Sequence, residues 1–439
     1  MTIRKRLVSG AAANTLSIGV GMLLQLAAVP VLTSSWGLPA YGTWLMLTTI
    51  PTYFALTDLG FVQAATNDMT MRHARGDRLG VLAAFQSVAV LVGGLLGIAL
   101  LVGVGLLAWR QAGAPLPDWA ADHAVVLALL LVYSGVTLLA RVLLAAFRST
   151  GHYAAGTLIY DGGSLTEGAL VLLMASFGGK FLGCVLVQLA IRLISMAVTY
   201  NLLMRMVPWL RGGLRYASRA ELRRMVGPAL SAMAVPTALA INLQGMVLVV
   251  GSVLSPAAAG MFVPVRTATR LFVQLAGIIN RASMPELAAA YATGSHATLR
   301  RIVQANAGIA AALLVPGAIG TVILGPWAIG LWTVGHVVPP RDFLALMAAD
   351  MVVHAAWFFA FSFVLAVNLH ARLGLPLLIV MAADIALAIP AAHAWGLNGV
   401  SATMLAGDAA ALALVVAMVR SVLRRGPDRA SGSDQVAGV

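Results

Sequence analysis

Arg266, Arg270, Gln274 and Arg281 recur at steps of four, four and seven through the apolar stretch FVPVRTATRLFVQLAGIINRASMPEL. At about 100° per residue they fall within one helical arc of roughly 80°. A charge at mid-bilayer costs from about 3 to over 10 kcal/mol, so such an arc turns toward protein or a wet cavity. Arginine forks stay charged there and offer paired donors to an anion. Arg141, Arg192, Arg266 and Arg270 are the candidates for that binding. Gln274, with Asn14 and Gln25 of the first apolar stretch, would add hydrogen bonds. A second set, Asp58, Asp161, Glu167, Asp350 and His354, could bind and release a coupling ion, H+ or Na+, because burial shifts the protonation of acids and histidine. Asp350 and His354 stand four apart and share a helix face. The competing reading of each of these residues is a structural ion pair that fixes helix packing. Asp384 and Asp408 have no partner that the sequence names. No residue reads as catalytic, and neither a metal nor an organic cofactor is expected; the single cysteine, Cys184, cannot build a disulfide frame or a thiolate site within the chain.

The elements that must position these groups are membrane helices. Hydrophobic residues make up 60% of the 439, charged ones 10%, and the mean hydropathy is +0.92. That composition excludes an ordinary soluble enzyme. The net charge of +13 is scattered through short loops instead of gathered on a soluble face, which argues against nucleic acid as a partner. Apolar stretches long enough to cross a bilayer lie near 8–33, 40–62, 80–108, 122–147, 155–176, 180–207, 226–252, 258–281, 302–325, 343–369, 375–394 and 398–420. With the N-terminus in the cytoplasm, only Arg110, Lys180 and Arg341 of the loop cations fall outside, so twelve spans with both termini inside satisfy the positive-inside rule. GPWAIGLWTVGHV, between the ninth and tenth spans, reads as a short amphipathic helix on the outer surface.

The arginine-rich connection from Pro208 to Arg224 falls at mid-chain and marks a boundary between an N-terminal six-helix bundle, 1–210, and a C-terminal one, 211–425. A disordered cytoplasmic tail, 426–439, is expected after them. Sliding the second half back by 218 residues superposes Gly42 on Gly260, Gly76 on Gly294, Gly156 on Gly374 and Gly178 on Gly396. Six spans separate the copies, so the repeat is parallel, about an axis along the membrane normal.

Three passages carry a family resemblance: ANTLSIGVGMLLQLAAVPVLTSSWGLPAYGTWLML with TDLGFVQAATNDM and RHARGDRLG, then SPAAAGMFVPVRTATRLFVQLAGIINRASMPELAAAYATGSHATLRR, then AWGLNGVSATM. The chain resembles the oligosaccharide flippases of the polysaccharide-export branch of the multidrug/oligosaccharidyl-lipid/polysaccharide (MATE-like) superfamily. The resemblance implies an all-α integral membrane protein whose two six-helix bundles rock between inward-open and outward-open states. It implies a cargo of undecaprenyl-diphosphate-linked oligosaccharide, moved across the bacterial inner membrane for surface polysaccharide biosynthesis, with a polysaccharide polymerase and export machinery as partners. Two alternatives stand beside it. An ion-coupled multidrug exporter of the same fold is favoured by the excess of acids within the spans. A membrane-embedded polysaccharide-modifying enzyme would need a larger outer loop or a cluster of His, Asp and Arg at one face.

Overall fold

The computed structural model describes residues 3–425 except 55, 57, 59, 114, 368 and 370, and the side chains of all of these but 3–18, 231, 232, 234, 278, 279, 281, 296, 371, 424 and 425. The expected tail from 426, and the side chains of Asn14 and Arg281, lie outside this description. Every regular element among the described residues is helical.

Two helices are too long to be single spans. α1, Ile3–Phe54, has 52 residues and α12, Ala371–Arg425, has 55; as straight rods they would run about 80 Å, against roughly 30 Å of hydrocarbon. Each contains a break. Gly37 interrupts α1 at φ 76°, ψ 166°, and Trp395 and Gly396 interrupt α12, the glycine at φ 58°, ψ −138°. These breaks fall in the gaps that hydropathy leaves at 33–40 and 394–398. Nine helical segments among the described residues are long and apolar enough to cross a membrane, ten with the bent pair Pro256–Gly277 and Ala282–Ala292. Counting the second legs of α1 and α12 separately raises ten to twelve. The protein is thus a multi-pass, all-α membrane protein built as two helical bundles.

The chain divides into two compact units, Met1–Met233 and Ala234–Val439. The first holds α1, α2 (Phe61–Ala74), α3 (Arg78–Gln111), the short α4 (Asp118–Ala121), α5 (Ala124–Ser149), α6 (Tyr153–Ser176) and α7 (Phe181–Met206). α8, Arg219–Val249, begins there and ends in the second unit, which continues through a π-helical turn, Val250–Leu254, to α9 (Pro256–Ala292), α10 (His296–Trp332), α11 (Arg341–Ala366) and α12. The connection after α7 and the start of α8 are tied to the first unit. Gln86 of α3 donates to the Arg211 carbonyl at 3.0 Å and accepts from the Tyr216 amide at 2.8 Å, and Ser87 accepts from the Ser218 amide. Arg224 then grips Asp68 of α2 through two hydrogen bonds of 2.8 and 2.7 Å, while Arg72 pairs with Glu221 at 2.9 Å. The bonds to Asp68, and next those to Glu221, hold the Arg224 proton and raise its pKa.

Each unit is organised around one central helix. Two thirds of the apolar window of α5 is buried (67%), against 17% for α3, α6 and α7, which turn most of their surface outward. α11 is the counterpart in the second unit, packed against α9, α10 and α12. Shifted by 218 positions, α5 lands within a residue of α11 at both ends. The repeat also shows in the backbone. α2 ends on Arg75 at φ −87°, ψ −1°, followed by Gly76 at φ 77° and Asp77 at φ −77°, ψ 77°; α9 ends on Thr293 at −86°, 0°, followed by Gly294 at 65° and Ser295 at −78°, 79°. In both, the residue after the glycine returns its amide to a helix carbonyl five residues back, at 3.0 Å. This is a Schellman closure, and it places glycine in the left-handed region for lack of a Cβ clash.

One expected element is corrected. The segment from Gly325 does not form a separate surface helix: α10 runs unbroken to Trp332, with Pro316 and Pro326 inside it. Membrane helices tolerate proline and glycine because neighbouring groups re-satisfy the freed backbone.

Candidate functional site

α11 carries Asp350 and His354 one turn apart, and both are buried, 4% and 5% exposed. Around them the second unit gathers Arg270 from α9, Asp408 from the second leg of α12, and Asp384 from its first leg. Arg270 Nη1 lies 3.3 Å from His354 Nε2, and His354 Nδ1 lies 2.9 Å from Asp408 Oδ2. These two contacts fix the imidazole. An arginine can only donate, so Nε2 accepts, the proton sits on Nδ1, and the neutral ring donates to Asp408. Trp357 Nε1 donates to the other oxygen of Asp408 at 2.9 Å, and the Trp357 ring stands edge-on to His354.

Asp350 completes the arrangement beside Asp408, close enough for the two carboxyl groups to share a proton. Asp408 already receives two N–H donors, which suit a carboxylate; Asp350 Oδ1 has no hydrogen-bond partner among the described residues. Of the two, Asp350 has the oxygen left to take up a proton. Asp384 lies close enough to interact electrostatically with both. It accepts from Asn242 Nδ2 of α8 at 2.7 Å. Gly407 makes the approach feasible: a Cβ there would stand 2.8 Å from the Asp384 carboxyl carbon. Three acids thus face one arginine and a neutral histidine inside an apolar bundle, an excess of two negative charges that only added protons or cations can balance.

The first unit holds a smaller cluster, and it is balanced. Arg192 of α7 and Glu167 of α6, both 5% exposed, form an ion pair of 2.7 Å. Tyr133 of α5 donates to Glu167, and Arg192 reaches Tyr133 at 3.3 Å and Ser164 at 3.4 Å. The guanidinium also stands over the Tyr133 and Tyr160 rings, 5.7 and 5.4 Å from their centroids.

The remaining candidates disperse. Arg266 is buried, bonded to the Leu243 carbonyl at 2.7 Å and set 5.0 Å over the Phe262 ring. Of the four arginines read as anion binders, three are thus engaged inside their own unit: Arg192 by a carboxylate, Arg266 by a carbonyl and a ring, Arg270 by the histidine. Arg141 is different. It stays exposed on α5, and its charge reaches Asp58, which is 5% exposed and caps the start of α2 through loose bonds to the Gly60 and Val62 amides, 3.4 Å each. Gln274 is half-buried and Gln25 exposed. Asp161 is half-buried, with Oδ2 lacking a hydrogen-bond partner among the described residues, and takes no part in the Glu167 pair. Asp384 and Asp408, left without partners by the sequence, complete the second-unit cluster. The signal that could have found them is the Gly407–Asp408 pair, a glycine making room beside an acid within an apolar span.

No family model and no curated protein matches the chain. Solved structures do. An inward-facing multidrug resistance MATE family transporter of the MOP superfamily superposes with a TM-score of 0.75 over 92% of this chain and 95% of its own, at 14% identity. A MATE crystallised in complex with MaL6 gives 0.64 over 96% of each chain at 15% identity. An outward-facing multidrug resistance MATE transporter gives 0.60 over 96% of each at 16% identity. The chain has the MATE transporter fold. With that fold comes the twelve-helix architecture of two six-helix bundles; at such identities cargo does not come with it.

Proposed function

We propose that this chain is an ion-coupled, alternating-access transporter that flips an undecaprenyl-diphosphate-linked oligosaccharide across the cytoplasmic membrane. The observation that carries the coupling is the surplus of carboxylate around Asp350, Asp384 and Asp408. A buried acid that holds a proton in one state and is re-paired in another can bind and release it as helices move. Asp350 is the proton carrier, Asp408 the hub that feels its loss, and His354 with Arg270 the partners that re-balance the charge. H+ fits the shared-proton contact more directly than Na+. The cargo half rests on the resemblance of the three passages to polysaccharide-export flippases. Arg141, exposed on the central helix of the first unit, is the guanidinium best free to meet a pyrophosphate.

A second reading, an ion-coupled exporter of cationic drugs, is supported by the multidrug transporters that share the fold and by the same excess of acids. Complementation separates the two. In a strain lacking its lipid-linked oligosaccharide flippase, the wild-type chain is expected to restore surface polysaccharide; Asp408→Asn and Arg141→Ala, at unchanged protein level, are expected not to. Failure of the wild type to complement, with resistance conferred on a drug-sensitive host, would overturn the cargo and leave the exporter.

A further inference from the structure

Within the second unit, α9, α10, α11 and the second leg of α12 enclose a slot of about 720 Å³. Its space comes from missing bulk: Ala307 and Ala311 on α10 face it together with Ala356 and Ala360 on α11. Along α10 the lining extends from Leu299 to Val315, sixteen positions and so about 24 Å. That exceeds one leaflet and falls short of the roughly 30 Å hydrocarbon core.

The polar groups of the slot are unevenly placed. Asn280 and Asn306, along its length, are satisfied from within the unit, the first by Ser362 and the second by Ser283 at 2.5 Å. Arg300 at the start of α10 and Arg420 near the end of α12 also line it. Both are exposed, and neither enters an ion pair among the described residues. The opposite end, at Leu314, Val315 and Val352, is apolar. Val303 and Val315 each retain 48% exposure, so the slot is not sealed by its own helices.

Two guanidinium groups at one end, a mainly apolar run longer than one leaflet and no polar group at the other end match one class of molecule. We infer that the slot holds a single anionic phospholipid of the bilayer, its phosphate between Arg300 and Arg420 and one acyl chain beside the alanines. Basic pockets between membrane helices on the cytoplasmic side recurrently take such headgroups, and the loop cations assign this end to the cytoplasm. A cargo crossing the membrane would need polar partners at both ends of its path. This slot offers them at one, so the occupant stays. By filling a space that the side chains leave open, it becomes part of the packing of the second unit.

Native mass spectrometry of the purified full chain tests this, with phosphatidylglycerol and phosphatidylcholine of identical chains as probes. One phosphatidylglycerol per chain is expected to bind about tenfold or more tighter than phosphatidylcholine. Arg300→Gln/Arg420→Gln, which alters only exposed side chains, is expected to erase that difference. Ala311→Trp, also at an exposed position, is expected to weaken both lipids by obstructing the slot; if it does not fold, the double glutamine variant carries the test alone. Equal binding of the two lipids to the wild type, or unchanged preference in the double variant, would overturn the site. Displacement of phosphatidylglycerol by equimolar undecaprenyl phosphate would overturn the resident-lipid assignment and make the slot a cargo site.

Discussion

At the 218-residue offset that relates the two bundles, Tyr133, Glu167 and Arg192 of the first fall within one or two residues of Asp350, Asp384 and Asp408 of the second. The fold thus puts polar side chains at the same place twice, where the central helix meets the two helices that follow it. The first unit answers with one acid, one base and a phenol, each charge matched at 2.7 Å. The second answers with three acids, a neutral histidine and Arg270. A matched pair is a fastening; a surplus of acids is a site, because its neutrality depends on something that can arrive and leave. The difference lies in residue type alone and not in position, so substitution can test it.

The largest effect is expected at the hub. Asp408→Asn removes the negative charge and leaves one acceptor oxygen for the two donors His354 and Trp357, and it should abolish transport in proteoliposomes while the protein still purifies as a folded species. Asp350→Asn should also uncouple transport, yet leave thermal stability equal or higher, since it removes a carboxyl that lacks a partner for one oxygen. In the first unit the pattern should invert. Arg192→Leu leaves Glu167 buried and unpaired, at a cost of about 3–5 kcal/mol in unfolding measurements. Adding Glu167→Leu should recover most of that loss and retain transport. If the double variant were stable but inactive, the distinction between fastening and site would fail.

Smaller effects sharpen the repeat itself. Gly76→Ala and Gly294→Ala force a Cβ into the left-handed region and should each cost about 1 kcal/mol, equally in the two copies, by thermal unfolding. Arg224→Ala, at a side chain 48% exposed, should cost no more than about 1 kcal/mol despite its bidentate grip on Asp68.

Much of the fold was legible because the bilayer imposes lengths on the chain. The gaps at 33–40 and 394–398 are where α1 and α12 break, and the glycine pairs at 76/294 and 178/396 both adopt positive φ. The common face of Asp350 and His354 was also readable, since helix periodicity sets it. Their partners were not. Asp408 lies 54 residues from His354, and Asn242 lies 142 from Asp384; only packing decides which helices meet. Within the second unit Arg266 is buried and Arg270 half-buried. Whether their arc met cargo or neighbouring helices depended on the Leu243 carbonyl and the His354 ring, which no periodicity reveals.

A proton on Asp350 is the central claim of the proposed coupling, and infrared spectroscopy tests it directly through the carbonyl stretch of a protonated carboxyl group. At neutral pH the account predicts that band in the wild type and in Glu167→Gln, and its loss in Asp350→Asn. A wild-type spectrum without the band, or a band that survives Asp350→Asn and vanishes in Glu167→Gln, would contradict it.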